Sequence, residues 1–331
     1  MQVNPIVVEI TRGDLVESVH RGAFAIFDNT QGLIAREGDI DRPIYPRSAV
    51  KPIQALPLVE THAADYWNLT QAELALACAS HSGQPAHVVA VRGWLKKIGL
   101  SDRDIACGAH HPIDQDACVA LFRDGEQPGR IHNNCSGKHA GFLTTARHLG
   151  ESIEGYLDVD HPIQQRIKKI LSEMTDTCLD ASSPAIDGCG APVFGLPLRG
   201  LAFGMARFAA GENCPGPRGA ASQKLYEAMS ANPWMLAGSG RWSTSAMQLA
   251  PGQFVVKGGA EGVYCGIVPS RELGFALKID DGANRAAESL MGQLLVNYGH
   301  LANELSSLLQ RLSSPSVINA AGLVVGDTRA I

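Results

Sequence analysis

The chain has 331 residues, of which 45% are apolar and 18% charged, so it can bury a sizeable core and does not have the composition of a disordered chain. Its formal net charge of −5 argues against a nucleic-acid partner or an anionic membrane surface, since both call for basic patches. No apolar run reaches the roughly 18 residues of a bilayer-spanning helix, and MQVNPIVVEITRG at the start reads as a strand rather than a secretion signal; the expectation is a cytoplasmic protein.

From the N-terminus, VVEI (7–10), AFAIF (23–27) and LIAR (33–36) have strand character, the last two joined by the turn DNTQG (28–32). After Pro46 the apolar spacing becomes helical, and Pro52 is tolerated because it falls in a first helical turn. Thr70 and Glu73 form a capping-box pattern that opens a helix through Cys78, and ASHSG (79–83) ends it. Further helices are expected over 85–98, 161–174, 197–210, 218–230 and, as one long region, 283–312. Strand character returns at FVVK (254–257), VYCGIV (263–268), LGFALKI (273–279) and GLVV (322–325). Strands at both ends with helices between them predict an α+β fold, an antiparallel sheet flanked by helices. One unit over 1–331 is expected, with a terminal-strand part and a central helical part spanning roughly 50–230.

Eight cysteines (Cys78, Cys107, Cys118, Cys135, Cys178, Cys189, Cys214 and Cys265) include no CxxC pair, so most should be reduced thiols that pack as small hydrophobes. The chemistry concentrates elsewhere. In YPRSAVKP (45–52), Ser48 and Lys51 lie at i and i+3, on one face of a helix. A serine needs a base to become a nucleophile. Lysine is that base only when neutral, and lowering its pKa from about 10.4 by roughly three units costs about 4 kcal/mol. Burial and a second cation are the means available. Ser80-His81-Ser82 and Lys257-Gly258-Gly259 follow in that order, the order in which S-x-x-K acyl-transferring enzymes carry their further elements. Two Ser–Lys pairs are therefore expected, Ser48 with Lys51 and Ser80 with Lys257.

HNNCSGKHAG (132–141) reads as a turn leading into a helix from Phe142, with backbone N–H groups able to converge on an anionic group. SSPAIDGCGAP (182–192) reads as a tight loop in which glycines flank an acid and a thiol. Together they offer Cys135, Lys138, His139, Asp187 and Cys189. Two cysteines suit a borderline metal but fall short of the usual four ligands of a structural zinc site.

RSAVKPIQALP (47–57), CASHSG (78–83), NCSGKHAGF (134–142), DGCGAP (187–192) and KGGAEG (257–262) together resemble the Rhizobium-type L-asparaginases of the asparaginase II family. The resemblance implies a serine-β-lactamase/glutaminase-like fold, a homodimer, and hydrolysis of L-asparagine to aspartate and ammonia. It implies Ser48, Lys51, Ser80 and Lys257 as catalytic residues and a Zn2+ site of Cys135, Lys138 and Cys189 beside them. Asp187 and His139 match positions near the substrate, and Arg47 or the turn amides around Ser136 are candidates for its α-carboxylate. GSGRWSTSAM (238–247) matches none of these motifs. The competing expectations are a glutaminase or another S-x-x-K amidohydrolase, including a penicillin-interacting one, and a non-catalytic zinc sensor.

Overall fold

The computed structural model describes residues 3–179, 184–214 and 216–331, so the first two residues of SSPAIDGCGAP lie outside the described residues. The chain divides into two compact units. One comprises the chain up to Val50, Leu196–Ala210 and Ser245–Ile331, the other Lys51–Gly195 and Gly211–Thr244.

The first unit is built on an eight-stranded antiparallel sheet: β1 (Ile6–Arg12), β2 (Leu15–Asp28), β3 (Gly32–Glu37), β4 (Val255–Gly258), β5 (Val263–Val268), β6 (Leu273–Ile279), β7 (Ser316–Ile318) and β8 (Val324–Ala330). Their order is β7-β8-β1-β2-β6-β5-β4, with β3 also pairing with β2. Every residue of β5 is buried, which explains its unbroken apolar run, because a strand covered on both faces has no polar side to alternate with. Two helices cover it. A side chain at Gly274 would strike Ala206 of helix Leu198–Ala209, whereas one at Gly266 would meet Met291 of helix Asn284–Tyr298. Gly274 is the cross-strand partner of Ile267, and residues 266 and 267 point to opposite faces, so the two helices lie on opposite sides of the sheet.

The α+β expectation of an antiparallel sheet flanked by helices therefore holds. Three details differ. β2 begins at Leu15 rather than near 23, because its exposed first half pairs with β1, for example Ile10 with Ser18. The expected helix 283–312 is two, Asn284–Tyr298 and Asn303–Ser313, separated where Gly299 caps the first and His300 takes φ +52°. The last strand runs over 324–330, its polar residues held in place by pairing with β1.

The second unit is helical. Its main helices are Gln71–Ala77, Pro85–Lys97, Gln115–Arg123, Ser136–His148, Pro162–Thr175 and Pro217–Ala231. The capping box is formed: Glu73 N donates to Thr70 Oγ1 at 3.3 Å and Thr70 N to Glu73 Oε2 at 2.7 Å. Helix Ser136–His148 is buried from Ser136 through Ala146 and forms the centre of the unit. It starts six residues before the expected Phe142. Gly137 permits that start, since a side chain there would lie 2.3 Å from the Leu76 carbonyl of the neighbouring helix. Among the described residues no helix is long and apolar enough to cross a membrane.

Candidate active site

In the sheet unit, Ser48 lies in a single 3-10 turn, Arg47–Val50, closed by Ala49 N donating to Pro46 O at 3.1 Å. Arg47 adopts φ +50°, a region that non-glycine residues rarely enter and that is over-represented at functional sites. The turn packs against the end of β4. At Gly259 a side chain would come within 3.0 Å of Pro46 O and Ala49 N, so Lys257-Gly258-Gly259 needs its second glycine to bring the backbone up to Ser48. Ser48 is half-buried, and Lys257 is buried with Nζ donating to Gly258 O at 2.7 Å.

In the helical unit, Lys51 opens the short helix Lys51–Gln54 and is 0% exposed. Its Nζ donates to Ala79 O at 2.5 Å and to Ser80 Oγ at 3.0 Å. The ASHSG loop that supplies these acceptors is anchored by Ser80 N to Leu236 O and Ser82 Oγ to Ala237 O. The bond from Lys51 to Ser80 is not among the pairs expected from sequence, which joined Ser80 to Lys257.

Cys135 caps helix Ser136–His148, Lys138 lies in its first turn, and Cys189 lies in the turn of a small hairpin whose strands are Ala185–Ile186 and Pro192–Val193. Each of the three is 3% exposed. Lys138 Nζ donates to Cys189 Sγ at 3.0 Å, and Cys189 Sγ lies 3.8 Å from Asp187 Oδ2. The hydrogen bond from Cys189, supported by the charges of Lys51 and Lys138, holds Cys135 well below the usual thiol range despite burial; Cys135 also takes a hydrogen bond from Lys51. The same thiol–thiol bond, together with burial, pushes Cys189 up. Burial alone would lower Lys138, but the two sulfurs outweigh it and hold the ammonium form. The two sulfurs thus share a proton beside Lys138. Cys135 Sγ lies 3.0 Å from Asn134 Oδ1, to which a thiol there donates.

Two sulfurs and an amine converging in a buried place fit a zinc ion with three protein donors and an open fourth position. Among the described residues no group of three or more His, Cys, Asp or Glu could hold a metal. The third donor would be lysine.

The L-asparaginase II family model matches residues 8–330. The chain belongs to the L-asparaginase II family. With membership comes the reaction class, hydrolysis of an amide in a small-molecule substrate. Among solved structures, the chain resembles one titled Mglu (15% identity, covering 91% of this chain and 73% of that one, TM-score 0.45). It also resembles a β-lactamase from Mycobacterium bovis (15%, 84% and 95%, 0.40) and a class C β-lactamase mutant (12%, 80% and 89%, 0.43). At these scores the likenesses carry no argument. No curated protein matches.

The remaining residues expected at an L-asparaginase II site are placed as follows. Ser136 is wholly buried; its hydroxyl donates to Ile131 O at 3.0 Å and lies 2.8 Å from His81 Nε2. Its backbone N–H is bonded to Asn133 O. Both hydrogens of Ser136 thus have partners within the protein in this structure. Asp187 is half-buried on the hairpin turn, its N–H bonded to Ala191 O at 2.9 Å. His139 is wholly buried, with Nδ1 2.7 Å from Tyr156 Oη. Burial first, then the charges of Lys138 and Lys51, keeps His139 well below the ordinary histidine range and hence uncharged.

Sequence reasoning missed His81 and Tyr156. His81 accepts Gly83 N–H at Nδ1 and so presents Nε2–H to Ser136, tying the ASHSG loop to the central helix. Its place between two motif serines was the available signal. Tyr156 lies in a loop 17 residues beyond His139, and nothing in its local pattern marks it.

Proposed function

We propose that the protein is an L-asparagine amidohydrolase in which Ser48 is the nucleophile and Lys51 its base. The observation that carries this reading is Lys51: a lysine amine with no solvent exposure, bonded to the hydroxyl of Ser80 and the carbonyl of Ala79, in a chain that matches an amide-hydrolase family from residue 8 to residue 330.

In this reading Lys51, once it has given up its own proton, takes the proton of Ser48 as Ser48 Oγ attacks the side-chain amide carbon. The tetrahedral oxyanion takes hydrogen bonds from backbone N–H groups, each typically worth about 3–4 kcal/mol. The leaving nitrogen needs a proton before the C–N bond breaks. Lys51 supplies it through Ser80: Nζ–H passes to Ser80 Oγ while the Ser80 hydroxyl proton goes to the nitrogen. Lys257 adds positive charge to the relay. Ammonia departs, leaving a β-aspartyl ester on Ser48, which water hydrolyses with the same groups acting in reverse. Asp187 pairs with the substrate's α-ammonium and Arg47 with its α-carboxylate.

Cys135, Lys138 and Cys189 would hold a zinc ion. When bound, zinc supplies positive charge against the two sulfurs and so cancels the anionic charge that Lys51 otherwise faces. A homodimer in the cytoplasm completes the proposal.

Ammonia release tests it. L-asparagine is expected to be turned over at least tenfold more efficiently than L-glutamine, judged by kcat/KM. Equal rates on the two amides would make the protein a general amidohydrolase, and no release from either would end the reading.

A further inference from the structure

Two wholly buried imidazoles are held in the same way but end differently. Each receives a hydrogen at Nδ1 and so carries its own at Nε2. His81 passes that hydrogen to Ser136. His139 Nε2 is buried and, among the described residues, has no hydrogen-bond partner.

The hydrogen count at Tyr156 sets the direction of its bond to His139. Ala106 N–H donates to Tyr156 Oη at 2.7 Å, so that N–H cannot accept the phenol's hydrogen. His139 Nδ1, 2.7 Å away, is the acceptor that remains. If His139 were instead protonated at Nδ1, the phenol hydrogen and Nε2 would both be buried without partners. A buried orphan is costly, so the arrangement with one orphan is favoured over the one with two. Tyr156 is itself fixed: it is buried, and Gln164 Nε2 donates to its carbonyl at 2.8 Å.

The orphan lies in the first turn of helix Ser136–His148. A helix N-terminus favours an anion. An oxygen with negative charge is the partner this N–H lacks.

We propose that Tyr156 is a positioning residue that holds His139 as the Nε2–H tautomer, so that this N–H is offered to an oxygen of the substrate's α-carboxylate. The inference rests on the amidohydrolase reading. It adds that His139 binds through its Nε2–H, and that a tyrosine on a separate loop sets which nitrogen donates.

The test follows the ring nitrogens of His139 by 15N NMR, assigned against the His139→Gln variant, while L-aspartate is titrated in. The wild type should show the Nε2–H form alone, and its Nε2–H resonance should move on binding. In Tyr156→Phe the ring should average between tautomers, aspartate should bind about tenfold more weakly, and KM should rise about tenfold with kcat within about twofold. His139→Gln, whose amide N–H falls near Nε2, should retain more binding than His139→Asn, whose N–H falls near Nδ1. The proposal is overturned by a wild-type Nδ1–H form, by failure of aspartate to bind or to move the Nε2–H resonance, by an unchanged tautomer in Tyr156→Phe, or by equal losses in the two His139 variants. A wild type that binds aspartate but releases no ammonia would instead remove the activity, leaving the tautomer assignment to stand on its own readout.

Discussion

The helical unit contains two buried lysines, and their partners set them apart. Lys51 gives its hydrogen bonds to a carbonyl and a hydroxyl and also touches the sulfur of Cys135. Lys138 gives its bond to Cys189 and feels both sulfurs of the pair. Burial is nearly the same, 0% against 3%. What differs is how many sulfurs the amine faces: Lys138 meets both, Lys51 only that of Cys135. Two sulfurs sharing one proton present a net anion, and that anion keeps Lys138 protonated. A lysine in that setting makes a poor base but a good counter-ion, or a ligand once its proton is displaced. Burial marks a lysine as unusual, and its neighbours decide how it is used.

The sharpest way to break this comparison is to remove each amine in turn. Lys51→Met should lower kcat by about a thousandfold or more, since it removes the base and the donor of the relay. Lys138→Met should cost less, about tenfold to a hundredfold, and should act through the zinc site. Equal losses would mean that the two lysines do one job together and that the distinction drawn from their partners is wrong.

A finer test uses zinc and pH. At neutral pH the two sulfurs share one proton and Lys138 is held protonated by them. Zinc must displace both remaining protons, so calorimetry in buffers of different ionisation enthalpy should show about two protons released per ion. Lower pH adds competing protons, so affinity should fall as pH drops. Release of a single proton would mean that Lys138 is not a ligand. The double variant Cys135→Ser with Cys189→Ser should bind no stoichiometric zinc; unchanged binding would place the ligands elsewhere.

Much of the fold is legible in the residues. β5 and β6 stand out as apolar runs bounded by a turn, and Thr70 with Glu73 announces its helix through a capping box that the structure contains. The start of helix Ser136–His148 is not legible: Asn-Asn-Cys-Ser-Gly has the composition of a turn, and only the close approach of Leu76 shows why a glycine lies inside the helix. The exposed half of β2 is equally hidden, because it is a strand through its pairing with β1 rather than through its own pattern.

The motifs locate the candidate site, but chain order misleads about contacts. Ser48 and Lys51 are neighbours in sequence, which makes them the obvious pair, while the bond from Lys51 to Ser80 spans 29 positions. Tyr156 is harder still, since its importance lies in one hydrogen bond that no spacing rule encodes. Residues recruited across the fold to orient a motif residue carry no motif of their own.

The central claim is that Ser48, activated by Lys51, becomes acylated by the substrate amide. Mixing the protein with excess L-asparagine, quenching in acid within the first turnovers and mapping peptides by mass spectrometry tests it directly. The account predicts a β-aspartyl adduct on the peptide that carries Ser48, absent from Ser48→Ala, which should also release no ammonia above background. Wild-type-like ammonia release by Ser48→Ala, or an adduct on another residue, would contradict it.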